Sequence, residues 1–517
     1  MLHFNRRKLL LLPLLALCLS CWAPARAPEA ATGPQHLVVL HTNDIHGQVL
    51  PRDATWLDDE HPPLIGGLER LAARIAQESE EARRSGAGVL VVDGGDWFQG
   101  TPEGMLEDGR DFLEALARVG HDVLCVGNHE FDHGVETIEA HLKASKLPAV
   151  LANLRGRADG KRPAWVKPWR IFKRAGLKIA VVGLLTPATP EITDDSVRAF
   201  EFVDPALALE EVRRELRDSV DLVLPLTHLG VNGDRDLARA HGDLPLIVGG
   251  HSHTYLPEGL REGEVLIAQA GSKASALGRV DLWFDRESGE CLRSRSRLID
   301  LMEEARADDL PPGLVRACEH LVKRSSGHMD SVVGELATPL SRSRHPLETA
   351  PAGNLITDVM RRRTDADVAL QNRGGIRCDL AAGPVTRRDL FEILPFGNHL
   401  VTVTLTGAEL LATLRRAVEG QAHSGLEFSG LVLEVREGTS GNEVLGVAIG
   451  GEPLALKREY RVTLNSFLAG GGDAYLELGG ELNRVDDRAA LRDVMEEAFA
   501  QAGVLTPPTE NRYRRRR

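Results

Sequence analysis

The segment HTNDIHG, His41 to Gly47, follows an apolar run and places an aspartate and a histidine two residues apart. The run before it, His36 to Leu40, is continuous rather than alternating, which is typical of a strand buried on both faces. In open α/β sheets, ligands bind at the carboxyl ends of the strands. The segment therefore places Asp44 and His46 where a bound metal ion would be expected.

The same arrangement recurs between about residues 36 and 300, as short runs rich in Val, Ile and Leu separated by segments with helical spacing of apolar residues. It predicts an α/β domain. Imidazole suits zinc-like divalent ions, and a carboxylate can bridge two metals about 3.5–4 Å apart. Five of the runs end in such groups: Asp44 and His46, Asp96, Asn128 and His129, His228, and His251 and His253.

A domain junction is predicted around residues 301–325, where charged helical sequence is interrupted by Pro311 and Pro312. Beyond it the pattern restarts, with helices expected in NLITDVMRRR and GAELLATLRRAVEG and strands in DVALQ and VTVTLT. Gly420 is the expected stop of the second of these helices. The chain is thus expected to contain a second α/β domain.

Composition indicates a globular enzyme. Hydrophobic residues make up 43% and charged residues 26% of the 517, and the formal net charge is −13. Such a charge argues against a nucleic-acid partner, and an anionic substrate would need local positive charge or metal. Four of the six cysteines lie outside the N-terminal signal, scattered and without a close pair, unlike a disulfide scaffold. The C-terminal RYRRRR is expected to be a frayed, solvated end.

The N-terminus has the pattern of an export signal, with basic residues 6–8 before LLLLPLLALCLS and the small-residue site Ala23 to Ala25. The apolar run is too short to span a bilayer, so no transmembrane segment is expected. The protein is expected to be exported to the periplasm or cell surface. A twin-arginine signal and a lipid anchor on Cys18 or Cys21 both stay open.

Five motifs, taken in order, resemble those of the calcineurin-like metallophosphoesterases and, in their wording, the 5′-nucleotidase family that includes bacterial periplasmic UDP-sugar hydrolases. They are HTNDIHG, VVDGGDWFQGT, VGNHEFDHG, LTHLG and GGHSH. The resemblance implies a four-layer α-β-β-α metallophosphoesterase sandwich followed by a smaller α/β substrate-binding domain. The implied divisions are a signal peptide at 1–27, a catalytic domain at 36–300, a linker helix and hinge at 301–329, a substrate domain at 330–508 and a basic tail at 509–517.

The resemblance also implies two divalent metal ions, zinc, manganese or similar, and a role for each first-domain candidate. Asp96 would bridge the two ions, and we choose it over Asp93 because the family's bridging carboxylate follows the glycine pair. His129 corresponds to the family's catalytic histidine, and Asp132 to the carboxylate that orients it. The remaining implied ligands are Asp44, His46 and His253 for one ion, and Asn128, His228 and His251 for the other.

Four later motifs, GNLITD, NRGGIR, LPFGN and NSFLAGGGDAY, resemble the substrate-domain motifs of 5′-nucleotidases. By position, Phe428 and Phe467 would sandwich the nucleobase, although Phe428 suits a core position equally well. Asp473 would hydrogen-bond the ribose or base. Arg377 would face the phosphates, and Asn372 would help to place the substrate.

One position departs from the family pattern. An arginine usually precedes the glutamate before the GNL motif, whereas this chain has Leu347 before Glu348. Arg342 or Arg344 could substitute from the preceding turn. If neither does, one phosphate contact is missing and specificity could have moved toward UDP-sugars, cyclic nucleotides or a non-nucleotide ester.

The implied function is an exported dimetal phosphohydrolase that releases phosphate from nucleoside 5′-monophosphates, cleaves UDP-sugars, or does both, by metal-activated water. Two alternatives stay open. One is a 2′,3′-cyclic-nucleotide phosphodiesterase with 3′-nucleotidase activity, and the other a non-catalytic surface protein that binds nucleotides. The same family shape hosts thiosulfohydrolases, but no residue here points to sulfur chemistry.

Overall fold

The computed structural model describes residues 33–54, 57–58, 61–306, 310–420, 425–438, 441–475 and 484–516. The expected signal peptide, with Cys18 and Cys21, lies outside these residues. They form two α/β domains, the first up to about residue 325 and the second from Val332 onward. No helix among them is long and apolar enough to cross a membrane.

The first domain is built on two six-stranded sheets that pack face to face. Leu37, Leu90, Ile179 and Leu224 belong to the fully buried apolar layer between them. In spatial order, the first sheet contains Cys291–Asp300, Ala276–Phe284, Gln35–Thr42, Gly88–Asp93, Val123–Cys125 and Ala149–Val150. The second contains Leu260–Glu262, Val265–Ala268, Leu246–Val248, Leu222–His228, Leu177–Leu185 and Trp169–Arg174.

Helices cover the outer face of each sheet and complete the four layers expected from the motifs. Strands such as Leu177–Leu185 are continuous apolar runs because both of their faces are buried. Leu68–Arg84, Arg110–Leu116 and Val135–Ala144 pack on the first sheet, and Pro205–Leu216 and Gly230–Ala240 on the second. Shorter elements are the helix Thr189–Ile192 and the paired strands Arg52–Asp53 with Leu64–Ile65 and Leu154–Gly156 with Phe200–Phe202.

In its described residues, 301–306 and 310–329, the segment predicted to link the domains contains one helix, Leu314–Ser325. Leu314, Cys318 and Leu321 are buried in the core of the first domain. Arg324 forms ion pairs with Glu107 and Asp111 of that domain. The helix is thus packed on the first domain, and a hinge between the domains would have to lie after Ser325.

The second domain has a central five-stranded sheet with helices beside it. Its strands, in spatial order, are Leu426–Ser429, Val368–Asn372, Glu459–Asn465, His399–Thr406 and Arg484–Ala490. Its helices are Pro351–Thr364, Arg387–Ile393, Gly407–Val418, Ser466–Ala469 and Leu491–Ala502. A three-stranded sheet joins Gly383–Thr386, Val332–Leu336 and Val504–Leu505, and a four-stranded sheet joins Glu452–Pro453, Glu443–Ile449, Leu431–Arg436 and Tyr513–Arg516.

The prediction of a frayed basic tail was wrong. Tyr513–Arg516 is a strand parallel to Leu431–Arg436, and the Tyr513 ring is buried with its centroid 4.9 Å from that of Phe428. Arg512 is also buried, donating 2.7 Å to the Phe428 carbonyl and 2.8 Å to Asp358. The charge run misled because Arg514, Arg515 and Arg516 do face solvent, while the buried Arg512 and Tyr513 hold the strand in place.

Because the tail is part of the core, Tyr513→Ala is expected to lower the free energy of unfolding by about 3 kcal/mol, the usual effect of truncating a buried aromatic residue. Arg514→Ala is the matched control, since Arg514 is exposed on the same strand. The control should change stability by less than about 0.5 kcal/mol. Denaturant titration of both variants checks this, and equal stabilities would restore the frayed-tail interpretation.

Candidate dimetal centre and adjoining cleft

The candidate metal ligands lie together because they follow neighbouring strand ends. The strands Gln35–Thr42, Gly88–Asp93 and Val123–Cys125 are parallel neighbours in the first sheet, and Leu222–His228 and Leu246–Val248 are parallel neighbours in the second. Their carboxyl ends meet at one edge of the sandwich. Two clusters of possible ligands lie there, one with Asp44, His46 and His253 and the other with Asp96, His228 and His251.

In the first cluster, His46 Nε2 lies 3.0 Å from His253 Nε2. Asp44 Oδ1 is 3.3 Å from His253 Nε2 and 3.9 Å from His46 Nε2. All three atoms are close enough to bind one ion, and Asp44 and His46 are fully buried. The mixture of imidazole and carboxylate fits a zinc-like or manganese-like cation.

In the second cluster, His228 Nε2 lies 3.0 Å from Asp96 Oδ2. His251 Nδ1 is 2.9 Å from the Asn128 side-chain oxygen, so Asn128 adds a fourth donor. Asp44 Oδ1 is only 4.0 Å from His228 Nε2, which places the two clusters side by side.

Hydrogen bonds at Nδ1 of His228 and His46 prepare the two imidazole rings to bind metal through Nε2. His228 Nδ1 lies 2.7 Å from the Gly94 carbonyl, and His46 Nδ1 lies 2.9 Å from that of Gln99. Each carbonyl holds the proton on Nδ1 and leaves Nε2 with a lone pair directed into the cluster. His228 Nε2 is fully buried and lies 3.0 Å from Asp96 Oδ2, but it forms no well-aligned hydrogen bond with any described residue. A bound cation would satisfy this nitrogen. The residues present therefore fit two divalent ions.

Charge is unevenly shared within the second cluster. Burial favours neutral forms, but the Asp96 carboxylate outweighs burial and raises the pKa of His228 to about 10. In return, despite burial, His228 and His129 hold the pKa of Asp96 well below its usual range. A cation bound here replaces the His228 proton, so metal binding should release protons and weaken as the pH falls.

The ligand loops have an unusual backbone. Five ligand residues have left-handed φ values: Asp44 (52°), His46 (51°), Asp96 (58°), His251 (78°) and His253 (53°). Side chains other than glycine's rarely adopt this region, and such strain concentrates at functional sites. The strain bends each loop sharply, so that side chains two to five residues beyond a strand turn back over the strand ends.

Glu130, which motif reading did not single out, organises the bridging loop. Its buried carboxylate accepts backbone N–H bonds from Asp96 and Trp97 at 2.9 Å and from Gly127 at 2.7 Å. A Cβ at Gly127 would overlap the Asp96 side chain, so the two loops need glycine at their closest approach. The sequence signal for Glu130 was its position in the motif VGNHEFDHG, between Asn128–His129 and Asp132.

Two polar residues beside the ligands also hold their loops. Asp93 accepts from the Gly95 backbone at 2.9 Å and from the Thr42 hydroxyl at 2.6 Å, so it tethers the loop, as expected, rather than facing the clusters. Asn43 donates 2.6 Å to Asp44 Oδ2 and fixes that carboxylate.

His129 stands beside the second cluster with its Nε2 3.9 Å from Asp96 Oδ2. Its Nδ1 lies 2.7 Å from Asp132 Oδ2, and Thr193 donates 2.9 Å to the other Asp132 oxygen. Burial alone would lower the pKa of His129, but Asp132 and Asp96 raise it above the ordinary value. The ring therefore favours its protonated form and presents an N–H to the cleft.

The second domain covers the same cleft. Arg377 Nη2 lies 3.1 Å from His46 Nε2, and its guanidinium sits 5.7 Å from the Phe396 ring centroid. Phe396 in turn stacks on His129, with ring centroids 5.5 Å apart. Phe396 was quoted in LPFGN but not chosen as a site residue, because sequence gives no measure of how close the domains come.

The expected nucleoside residues form a separate group in the second domain. Asn372 donates 2.9 Å to Asp473 and accepts from Asn465 at 2.8 Å, and all three side chains are buried. The half-buried Phe467 ring lies directly against Gly472, where any Cβ would meet it. The loop that carries Asp473 contacts the first domain at the helix Thr189–Ile192. This helix is next to Thr193, which is hydrogen-bonded to Asp132 and through it to His129.

The assignment of Phe428 to a base sandwich was wrong. It is fully buried in the strand Leu426–Ser429, packed against Tyr513 and Leu370 within the second-domain core. A nucleobase cannot reach a side chain covered on both faces, so the core alternative holds.

The structure also shows what surrounds Leu347, the residue that departs from the family pattern. Leu347 is buried in the second-domain core. Arg342 and Arg344 both pair with Asp379 at 3.2 Å, and Arg342 donates 3.2 Å to the Arg377 carbonyl. Neither makes a polar contact with the described ligands of the two clusters. Both line a cavity on the His253 side of the cleft.

Comparison with known proteins agrees with the motifs. Residues 37–255 match the family model of calcineurin-like phosphoesterases, and residues 332–478 match that of the 5′-nucleotidase C-terminal domain. A 5′-nucleotidase of Vibrio cholerae is 29% identical to this chain over 549 residues, and the match covers 93% of this chain and 95% of the relative. Protein UshA of Escherichia coli is 28% identical, and that match covers 91% of this chain and 92% of UshA. The crystal structure of a 5′-nucleotidase precursor from Thermus thermophilus superposes with a TM-score of 0.81 at 28% identity, covering 93% of this chain and 99% of its own.

Proposed function

Because this chain belongs to the 5′-nucleotidase family of calcineurin-like phosphoesterases and is a metal-dependent phosphoric ester hydrolase, we infer that it releases phosphate from nucleoside 5′-monophosphates, cleaves UDP-sugars, or does both. One observation carries the proposal. The two three-ligand clusters share one cleft with His129 and Arg377, a proton donor and an anion-binding group. A phosphoryl group is the substrate that such a cleft suits.

Zinc, manganese or a similar divalent ion is proposed for both clusters. Asp44, His46 and His253 would hold one ion, and Asn128, His228 and His251 the other. Asp96 would bridge them. Two such ions, when bound, lower the pKa of water and polarise the phosphoryl oxygens.

The chain's own residues supply the rest of the chemistry. His129, oriented by Asp132, donates its Nε2 proton toward the phosphoryl or leaving oxygen, where negative charge grows in the transition state. Arg377 offers a planar pair of N–H groups to the remaining phosphoryl oxygens. Phe396 packs against both side chains and restricts their orientation.

The nucleoside is proposed to lie along Phe467, Asp473 and Asn372. A phenylalanine face stacks on any base, which gives affinity without strict base preference. The Asp473 carboxylate is an acceptor for ribose hydroxyls. Contact between this loop and the 189–192 helix would place the leaving oxygen on the His129 side of the cleft.

We also propose export to the periplasm or cell surface, with cleavage near Ala25 or lipid attachment at Cys21, and a division into catalytic domain, linker and substrate domain near the predicted boundaries. The N-terminal pattern of basic, apolar and small residues supports export. No nucleic-acid partner is proposed, given the net charge of −13.

Assays of the metal-loaded protein on AMP, UDP-glucose and 2′,3′-cyclic AMP test the function. Phosphate release from AMP, or UMP release from UDP-glucose, is expected, with slower turnover of the cyclic nucleotide. Activity confined to the cyclic nucleotide would favour the phosphodiesterase alternative. Absence of turnover on all three would remove the proposal.

Phe467→Ala is expected to lower kcat/KM for AMP about 10-fold, because it removes one stacking contact of the base. Ribose 5-phosphate is the matched control substrate, since it keeps the phosphate and ribose but has no base. Its hydrolysis should change less than about 2-fold. An equal loss on both substrates would show that Phe467 acts on the fold of the loop rather than on the base.

A further inference from the structure

A large cavity lies between the two domains on the His253 side of the metal clusters. Its volume is about 880 Å³, within the usual range of small-molecule sites. His253 and Lys273 line it from the first domain, and Arg342, Cys378 and Glu392 line it from the second. The dimetal chemistry described above uses none of these residues except His253.

Lys273 is the unusual group in this cavity. The residue is only 5% exposed, yet its Nζ has no hydrogen-bond partner among the residues that the structure describes. Burying an ammonium group without a partner is costly unless a ligand completes its shell. Its backbone N–H donates 2.7 Å to the Asp44 carbonyl, so the backbone of Lys273 is held next to the first metal cluster. Lys273 and Ala274 have consecutive left-handed φ values of 56° and 49°, a strained turn that supports this placement.

Three arginines around the cavity are already paired. Arg342 and Arg344 share Asp379, and Arg388 pairs with Glu103 and Asp330. They are therefore partly neutralised, whereas the Lys273 amine has no such ion pair among the described residues. Burial raises the pKa of the Glu392 carboxyl, which offers a hydrogen-bond partner for hydroxyl groups in the same space.

The cavity and the proposed nucleoside site approach the clusters from different sides. The nucleoside group joins the first domain next to Asp132 and His129, whereas the cavity opens at His253. The 376–380 segment contacts both the metal clusters and the cavity. Arg377 contacts His46, and the adjacent Cys378 lines the cavity. A substrate bound at the clusters can thus extend in two directions.

We propose that Lys273 forms a second substrate subsite for nucleoside diphosphate esters. In such a substrate, the phosphoryl group that is cleaved lies between the nucleoside and a second half of the molecule. Lys273 binds an anionic group on that second half. The proposal rests on the proposed function and narrows its substrate class. A monophosphate leaves this cavity unused. A diphosphate ester places its second half there, with a carboxylate or phosphate on Lys273 and hydroxyls near Glu392.

The reaction on such a substrate remains a hydrolysis. The water oxygen joins the phosphorus that carries the second half, the anhydride P–O bond breaks, and the nucleoside monophosphate leaves. One proton of the water goes to each product. Lys273 takes no part in bond breaking and acts only as a specificity residue.

Two matched substrate pairs test the subsite. UDP-glucuronate differs from UDP-glucose by one carboxylate on its second half. NADP differs from NAD by one phosphate on the adenosine ribose, which reaches the cavity when the nicotinamide nucleoside occupies the Phe467 site. The wild-type protein is expected to prefer the charged member of at least one pair by about 10-fold in kcat/KM, the effect of one charge-assisted hydrogen bond. Preference within the first pair identifies a carboxylate ligand, and preference within the second identifies a phosphate.

Lys273→Met, which keeps the length and apolar stem of the side chain, should abolish that preference while changing kcat/KM for UDP-glucose and AMP by less than about 2-fold. Lys143→Met is the control, since Lys143 is exposed on the helix Val135–Ala144. Equal loss on charged and uncharged substrates, or no charged preference in the wild type, would overturn the subsite.

Calorimetric binding to the metal-loaded protein separates this proposal from the proposed function, because it does not rely on turnover, and His129→Gln is introduced to slow hydrolysis during the titration. With Lys273 present the protein should bind the charged member of the preferred pair about 10-fold more tightly, and with Lys273→Met it should bind both members equally. If turnover by the wild type is absent but this binding difference holds, the subsite stands and the proposed function fails. If the affinities within each pair are equal with Lys273 present, the subsite fails whatever the activity.

Discussion

Asp96→Asn is expected to lower phosphate release from AMP by roughly 1,000-fold or more, because one carboxylate is proposed to serve both metal sites. Asparagine keeps the shape of the side chain but removes its charge. The substitution also removes the negative partner that raises the pKa of His228. Two losses should therefore be seen together, a fall in bound metal by elemental analysis and a fall in activity.

Asp93→Asn is the matched control for that experiment. Asp93 lies three residues away and is equally buried, but it bonds to Thr42 and the Gly95 backbone rather than facing the clusters. It should keep its metal and lose no more than about 10–100-fold in activity, as for a supporting residue. If Asp93→Asn lost metal and Asp96→Asn did not, the choice between the two aspartates would be reversed.

His129→Gln is expected to lower kcat by roughly 100- to 10,000-fold, the usual contribution of a positioned proton donor. Metal content should stay unchanged, because His129 lies outside both three-ligand clusters. Combined measurement of kcat and bound metal on the same preparation checks both statements.

Asp132→Asn is a second test of the assignment of His129 as the proton donor. Loss of the partner at His129 Nδ1 should lower the pKa of the imidazole and cost about 10–100-fold, less than loss of the ring itself. Loss of metal in His129→Gln, or a larger defect in Asp132→Asn than in His129→Gln, would contradict the assignment of His129 as the proton donor.

The architecture of the first domain was predictable because its buried parallel strands are mostly continuous apolar runs. The ligand candidates were predictable for the same reason, since they follow those runs directly and parallel strands share an edge. The structure gathers six of them into two clusters and places Asn128 beside the second. The comparisons confirm the family that the motifs resembled.

What could not be predicted depends on contacts between distant residues. The left-handed φ values of the ligand loops follow from closure of the whole site, and no residue type among them reveals it. Phe396 reaches His129 only because the domains meet there. Phe428 and Tyr513 were misjudged together, since each is buried by the other across about 85 residues of sequence. Lys273 is unremarkable in sequence, and only its burial beside a cavity distinguishes it.

Activity measured against metal added to metal-stripped protein tests the dimetal account most directly. Phosphate release from AMP is expected to be near zero without metal, to stay low at one equivalent and to reach its plateau at two equivalents per chain. Elemental analysis at the plateau should find two ions, and both should be lost in Asp96→Asn. Full activity in the presence of a strong chelator, or a plateau at a single equivalent, would contradict the two-ion centre.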